Sequence, residues 1–171
     1  MADVSKQRRK TKSPLHFARF EFKYVLPEIK RNTVEADMRY FMELDPFVVD
    51  NPEREYKVRS LYYDDPSYSC FHDKISGMRT RSKFRIRTYP NDSDVQSPIF
   101  LEIKGRHNNL VFKHRTQAEQ GNGDWLELGG DELSAAIIAN VNDSPVKEQF
   151  SFELIRKRLS PIALIDYMRR P

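Results

Sequence analysis

The chain has a single cysteine, Cys70, among its 171 residues. A disulfide framework is therefore excluded, and a reducing cytoplasm is the natural compartment. No run of 18 or more apolar residues is present, so no transmembrane helix is expected. The N-terminus lacks the apolar core of a secretory signal. No G-x-x-x-x-G-K-[ST] segment exists to wrap a nucleotide as a P-loop, and no G-x-S-x-G marks a hydrolase nucleophile. The four histidines, His16, His72, His107 and His114, have no zinc-type spacing. Cys70, beside Phe71 in an expected helix, reads as a small buried hydrophobe rather than a nucleophile.

A global excess of charge is missing too. The net charge is +4. Lys6, Arg8, Arg9, Lys10 and Lys12, set against Asp3, account for all of it, and the rest of the chain holds 24 cations and 24 acids. Residues 1–15 read as a disordered basic tail, and residues 16–171 as one domain. Any attraction for polyanions must then come from local arrangement rather than from overall charge.

Such an arrangement is visible in "RTRSKFRIRTY" at 79–89. Arg79, Arg81, Lys83, Arg85 and Arg87 fall on every second position. In a β-strand they stand in one row, with Phe84 and Ile86 facing the other way. Like charges side by side repel, and within a sheet only water or an anion relieves them. Other segments share the alternation. At 16–26, Phe20, Phe22, Tyr24 and Leu26 oppose Arg19, Glu21 and Lys23. At 98–106, Ile99, Leu101 and Ile103 oppose Glu102, Lys104 and Arg106. At 110–117, Lys113 and Arg115 lie opposite Phe112. "YKVRSLYYDD" at 56–65 and "PIALIDYMRR" at 161–170 complete six expected strands.

Helices are expected at 28–43 (Val34, Met38, Phe41, Met42), from Asp131 (Leu133, Ala136, Ile137, Val141), and from Ser144-Pro145 (Val146, Phe150, Leu154, Ile155). A short helix or turn is expected at 66–77. Turns or loops are expected at "PNDSD", "HNN" and "GNGDWLELGG". The apolar faces of the strands need cover, which three amphipathic helices can supply. The fold class is α+β, an antiparallel β-barrel clad in helices, with a charged bore suited to an anion. Guanidinium groups match phosphate oxygens bidentately, and lysines add point charges. Glutamates within a basic bore have two readings: ion pairs with their neighbours, or oxygen ligands to a hard divalent cation. Single-stranded nucleic acid fits less well, because most aromatic residues lie on the face opposite the cations; Tyr89 and Phe100 are the exceptions.

"RFEFKYVL", "VRSLYYDD", "KFRIRTY", "FLEIKGR", "FKHR" and "IDYMRR" follow one another in this order between residues 19 and 170. Together they resemble the VTC-type polyphosphate polymerase domain of the triphosphate tunnel metalloenzymes, the CYTH-like superfamily. The resemblance implies an eight-stranded antiparallel tunnel. It implies transfer of the γ-phosphate of ATP to a growing inorganic polyphosphate chain, with Mn²⁺ or Mg²⁺. The implied catalytic phosphate ligands are Lys23, Arg85, Arg87, Lys104, Lys113 and Arg169. Arg81, Lys83, Arg115 and Tyr167 are implied to help bind the nucleotide, and Glu21 and Glu102 to bind metal. Arg19, Glu21 and Lys23 match the E-x-E-x-K of the triphosphatase branch with its first Glu replaced, which favours the VTC type. About six of the eight strands are expected here, the domain stopping short at Pro171, with self-association possible through open edges. The alternatives are an inorganic triphosphatase and a non-catalytic polyanion-binding module.

Overall fold

The computed structural model describes residues 16–90, 97–119 and 130–171. The expected tail at 1–15, most of the turn after Pro90 and the loop at 121–129 lie outside the described residues. The described residues divide into two compact units, residues 16–22 with Tyr56–Arg169, and Lys23–Glu55 with Arg170–Pro171.

Among its described residues the first unit is built on a six-stranded sheet. Its strands are β1 (His16–Phe20), β2 (Tyr56–Asp64), β3 (Thr80–Thr88), β4 (Ile99–His107), β5 (Leu110–Gln117) and β6 (Ser160–Arg169). They pair in the order β1-β5-β4-β3-β2-β6, every pairing antiparallel. The period-2 segments therefore become strands at nearly their expected positions. Among the described residues β1 and β6 are edges and the sheet is open. Register at the β6 edge is pinned by Arg59, whose Nε and Nη2 donate to the two carboxylate oxygens of its cross-strand partner Asp166 at 2.9 and 2.7 Å.

Among the described residues, the helices of this unit are α2 (Ser69–Ile75), α3 (Gly130–Ala139) and α4 (Pro145–Lys157). Ser144 caps α4, its hydroxyl accepting the Lys147 N–H at 3.2 Å, and Pro145 takes the first turn. Asp64, almost fully buried, accepts the backbone N–H groups of Cys70 and Phe71 at 2.9 and 3.0 Å and so holds the start of α2 against the end of β2.

The core lies on one face of the sheet. Leu101, Ile103, Phe84, Ile86 and Tyr63 pack there against Ile137, Val141, Val146 and Phe150. Phe150 is fully buried and meets Tyr63 and Phe84 edge-on, with centroids 5.4 and 5.6 Å away, a geometry aromatic quadrupoles favour. Cys70 is buried in this cluster, as expected, and burial pushes its thiol up to about 12. On the same face Gly105 lies beneath the ring of its cross-strand partner Phe112; a Cβ there would stand 1.9 Å from the ring.

In the second unit a 3₁₀ turn at Glu28–Lys30, entered from Pro27, leads into α1 (Arg31–Met38). The helix expected to reach residue 43 stops at Met38, so Phe41 and Met42 lie beyond it. Within this unit Arg170 donates from Nη1 to both oxygens of Glu35, at 3.0 and 3.1 Å.

Candidate polyanion site

The face of the sheet opposite the core carries the cations. Pairing places them in tiers across the strands. Tyr62 on β2 stands opposite Arg85 on β3, Arg85 opposite Glu102 on β4, and Glu102 opposite Arg115 on β5. One step along, Ser60 is opposite Arg87, and Arg87 is opposite Phe100. One step the other way, Lys83, Lys104 and Lys113 line up across three adjacent strands. Beyond them Arg81 faces Arg106. Like charges directly opposite in a sheet are destabilising, yet here they recur at two successive tiers.

Glu102 is the centre of this surface. It is 0% exposed, and three guanidinium groups converge on it. Arg85 donates from Nε at 2.8 Å and approaches with Nη2 at 2.6 Å; Arg87 and Arg115 each lie 3.9 Å away. A single carboxylate thus faces three buried cations, which leaves local positive charge in excess. Further guanidinium donors of Arg85 and Arg87 are aimed by neutral groups. Arg85 Nη1 donates to the Tyr62 hydroxyl at 2.9 Å, and Arg87 Nε to the buried Ser60 hydroxyl at 3.0 Å. Arg87 Nη2 reaches the Tyr167 hydroxyl at 3.4 Å, and Arg115 stacks over the Phe100 ring, 4.3 Å from its centroid.

The electrostatics follow from this crowding. Lys113 is lowered to about 8 by burial first and then by repulsion from Arg115, against a smaller opposing pull from Glu102. Lys83 is lowered as well, by burial and then by Lys74. Burial would raise Tyr62, but the charge and hydrogen bond of Arg85, with Arg87 and Lys83, outweigh it and the phenol is lowered. Burial is the larger cause for both lysines, and repulsion from a neighbouring cation comes second in each. An anionic ligand would reverse the penalty on the lysines.

Arg85, Arg87, Lys104, Lys113, Arg115, Lys83 and Arg81 therefore share one face, as the alternation predicts. Tyr167 joins them through Arg87. Arg169, at the end of β6, is exposed, with its guanidinium 5.9 Å from the centroid of Tyr56. Lys23 does not join them on a strand. Phe20 pairs with Leu110, the first residue of β5, so β1 has no partner to continue against and ends there rather than at Leu26. Lys23 falls in the second unit. Glu21, one residue past β1, lies 3.3 Å from Lys104 Nζ. The sequence reading missed Ser60 and Tyr62. Both occupy alternate positions of β2, a spacing that could have placed them on one face, although only pairing shows that this face carries the cations.

Expected as metal ligands, Glu21 and Glu102 each face a cation instead. Among the described residues no three His, Cys, Asp or Glu side chains come together as a cation site. A divalent ion at Glu102 would meet three guanidinium groups at the distances above, so the carboxylates present do not by themselves fit such an ion.

The sequence matches the VTC domain over residues 18–170. The chain belongs to the VTC domain family. No curated protein matches it. Among solved structures it is similar to a crystal structure of a putative adenylate cyclase from Bacillus halodurans, at 10% identity and a TM-score of 0.49. The similarity covers 91% of this VTC domain chain and 64% of that one, so the chain spans less than two thirds of that protein's length. No helix among the described residues is long and apolar enough to cross a membrane.

Proposed function

We propose that this VTC domain is a polyphosphate polymerase domain, transferring the γ-phosphate of ATP to a polyphosphate chain on the charged face of its sheet. The observation that carries the reading is the surface around Glu102, where three guanidinium groups share one buried carboxylate and a tier of three lysines stands beside them. Phosphoryl transfer asks little covalent help of a protein; it needs positioning and neutralisation of charge on the equatorial oxygens. Arg85 and Arg87, their planes fixed by Glu102, Tyr62, Ser60 and Tyr167, would clamp the nucleotide phosphates. Lys104, Lys113 and Arg169 would hold the transferring group and the acceptor end. Arg81, Lys83 and Arg115 would add to the field along the chain.

The terminal oxygen of the polyphosphate is already ionised, so no general base is required. That oxygen forms a bond to the γ-phosphorus while the β,γ-bridging bond breaks, and ADP leaves. Glu102 would be a positioning residue in this scheme. The family resemblance implies Mn²⁺ or Mg²⁺, and oxygen ligands beyond the described carboxylates would be needed to hold either. The proposed setting is cytoplasmic.

Incubation with ATP and Mn²⁺, with products separated on a gel, tests the reading. Long chains and ADP support it. Free phosphate as the main product would make the domain a hydrolase, and tight polyphosphate binding with unchanged ATP would make it a binding module.

A further inference from the structure

At the far end of the charged face, beyond the lysine tier, a cavity of about 500 Å³ is lined by Gly77, Arg79, Arg81, Arg106, Asn108 and Asn109. Its walls come from the turn that enters β3 and from the β4–β5 hairpin. The Asn108 N–H donates to the Arg79 carbonyl at 2.8 Å and ties the two together. Both turns use left-handed backbone, with φ of +67° at Gly77 and +52° at Asn108. The cavity is thus built by two fastened segments rather than by one mobile loop.

Two of its arginines bond to neutral acceptors. Arg81 and Arg106 are directly opposed across β3 and β4. Arg106 donates to the Asn108 carbonyl at 2.5 Å and to Asn109 Oδ1 at 3.2 Å, and Arg81 donates to the Met78 carbonyl. These acceptors are neutral and use only part of each guanidinium's five donors. Among the described residues none of Arg79, Arg81 and Arg106 has a carboxylate in ion-pair range. Glu102 sits at the Arg85 tier; Glu21 lines a neighbouring pocket with Arg106 and Asn109, but its carboxylate lies 3.3 Å from Lys104 Nζ.

We infer that Arg79, Arg81 and Arg106 form an outer anion subsite that takes the distal part of a polyphosphate chain whose reacting end lies at Arg85 and Arg87. The inference rests on the proposed function and adds a polarity to it, with the growing chain directed toward the β4–β5 hairpin. Six residues of extended strand separate Arg81 from Arg87, about 20 Å. Three linked phosphates span far less than that, whereas a long chain covers both ends. The subsite therefore discriminates chain length. No aromatic side chain lines the cavity, so it offers no stacking platform for a nucleobase.

Calorimetric titration of the full chain with tripolyphosphate and with long-chain polyphosphate, at one fixed salt concentration, tests this. The variants are Arg79→Gln/Arg106→Gln and, as a charge-matched control away from the cationic face, Arg156→Gln/Arg158→Gln. Comparing each variant with wild type for the same ligand cancels the multiple registers of a long chain. The cavity variant is expected to lose about tenfold or more in affinity for the long chain and less than about twofold for tripolyphosphate, while the control loses little for either. Arg79→Lys/Arg106→Lys keeps the charge and is expected to recover most of the loss, which separates the effect from misfolding. Equal losses for both ligands, an equal loss in the control, or unchanged long-chain affinity in the cavity variant would overturn the subsite. Tight binding of single-stranded RNA abolished by the cavity variant would reassign it to nucleic acid. A wild-type chain that binds neither phosphate ligand would overturn the proposed function itself.

Discussion

Glu102 and Arg85 meet across β3 and β4 with two nitrogens of the guanidinium 2.6 and 2.8 Å from one carboxylate oxygen. Glu102 is fully buried and Arg85 nearly so. Arg87 and Arg115 share the same carboxylate at longer range, so its removal would leave three buried cations facing one another. Replacing one partner of a buried ion pair costs about 3–5 kcal/mol because the other charge is left uncompensated. Glu102→Gln is expected to lose stability in that range. It should also gain more from added tripolyphosphate than wild type does, since an anion restores the missing charge and binds only the folded state. Urea denaturation with and without tripolyphosphate measures both effects. An unchanged midpoint would show that Glu102 does not neutralise the cluster.

Arg85 and Arg87 should separate when mutated, although a row of like charges alone suggests that removing either relieves repulsion. Arg87 makes its short bonds to neutral hydroxyls, so Arg87→Ala is expected to weaken nucleotide and polyphosphate binding about tenfold or more with little change in melting temperature. Arg85 is the main partner of Glu102, so Arg85→Ala should lose binding and stability together. Calorimetric binding set beside thermal unfolding distinguishes the two. Equal melting temperatures for both variants would contradict this division.

Binding should also depend on Lys113. Its ammonium is charged below about 8 and neutral above, so polyphosphate affinity is expected to fall as pH rises from 7 to 9, with Lys113→Ala showing a flatter profile. The folding linkage has the opposite sign. The folded group releases its proton at about 8, below the usual lysine range, so between these values the unfolded chain binds more protons. Its contribution to stability therefore rises with pH across that window. Titrations of binding and of unfolding between pH 7 and 10 read the two trends, and a wild-type affinity independent of pH would remove Lys113 from the site.

Gly105 tests the other face. A methyl group there collides with the Phe112 ring, and the ring must move for it to fit. Gly105→Ala is expected to cost about 1–3 kcal/mol, the usual range for overpacking. Phe112→Leu in the same chain should recover part of that loss. Denaturant midpoints of the single and double variants measure the coupling, and a neutral Gly105→Ala would mean that the ring yields freely.

The six strands and the side on which the cations of β3, β4 and β5 stand were legible in the sequence, because period-2 alternation is local and the backbone converts it directly into two faces. The same holds for α4, whose cap and first-turn proline are adjacent residues, and for Cys70 as part of the core. The tertiary structure decided which charges meet. Nothing local to "RTRSKFRIRTY" says that Arg85 rather than Lys83 faces Glu102, that Ser60 sits under Arg87, or that three lysines line up across three strands. Those are matters of register, and a shift of one residue would exchange the faces of a whole strand. The end of β1 has the same origin. Its alternation continues to Leu26, but a strand persists only while a neighbour supplies hydrogen bonds, and β5 begins at Leu110, opposite Phe20. Alternation is a property of one segment. Pairing belongs to two, and the local pattern of neither segment contains it.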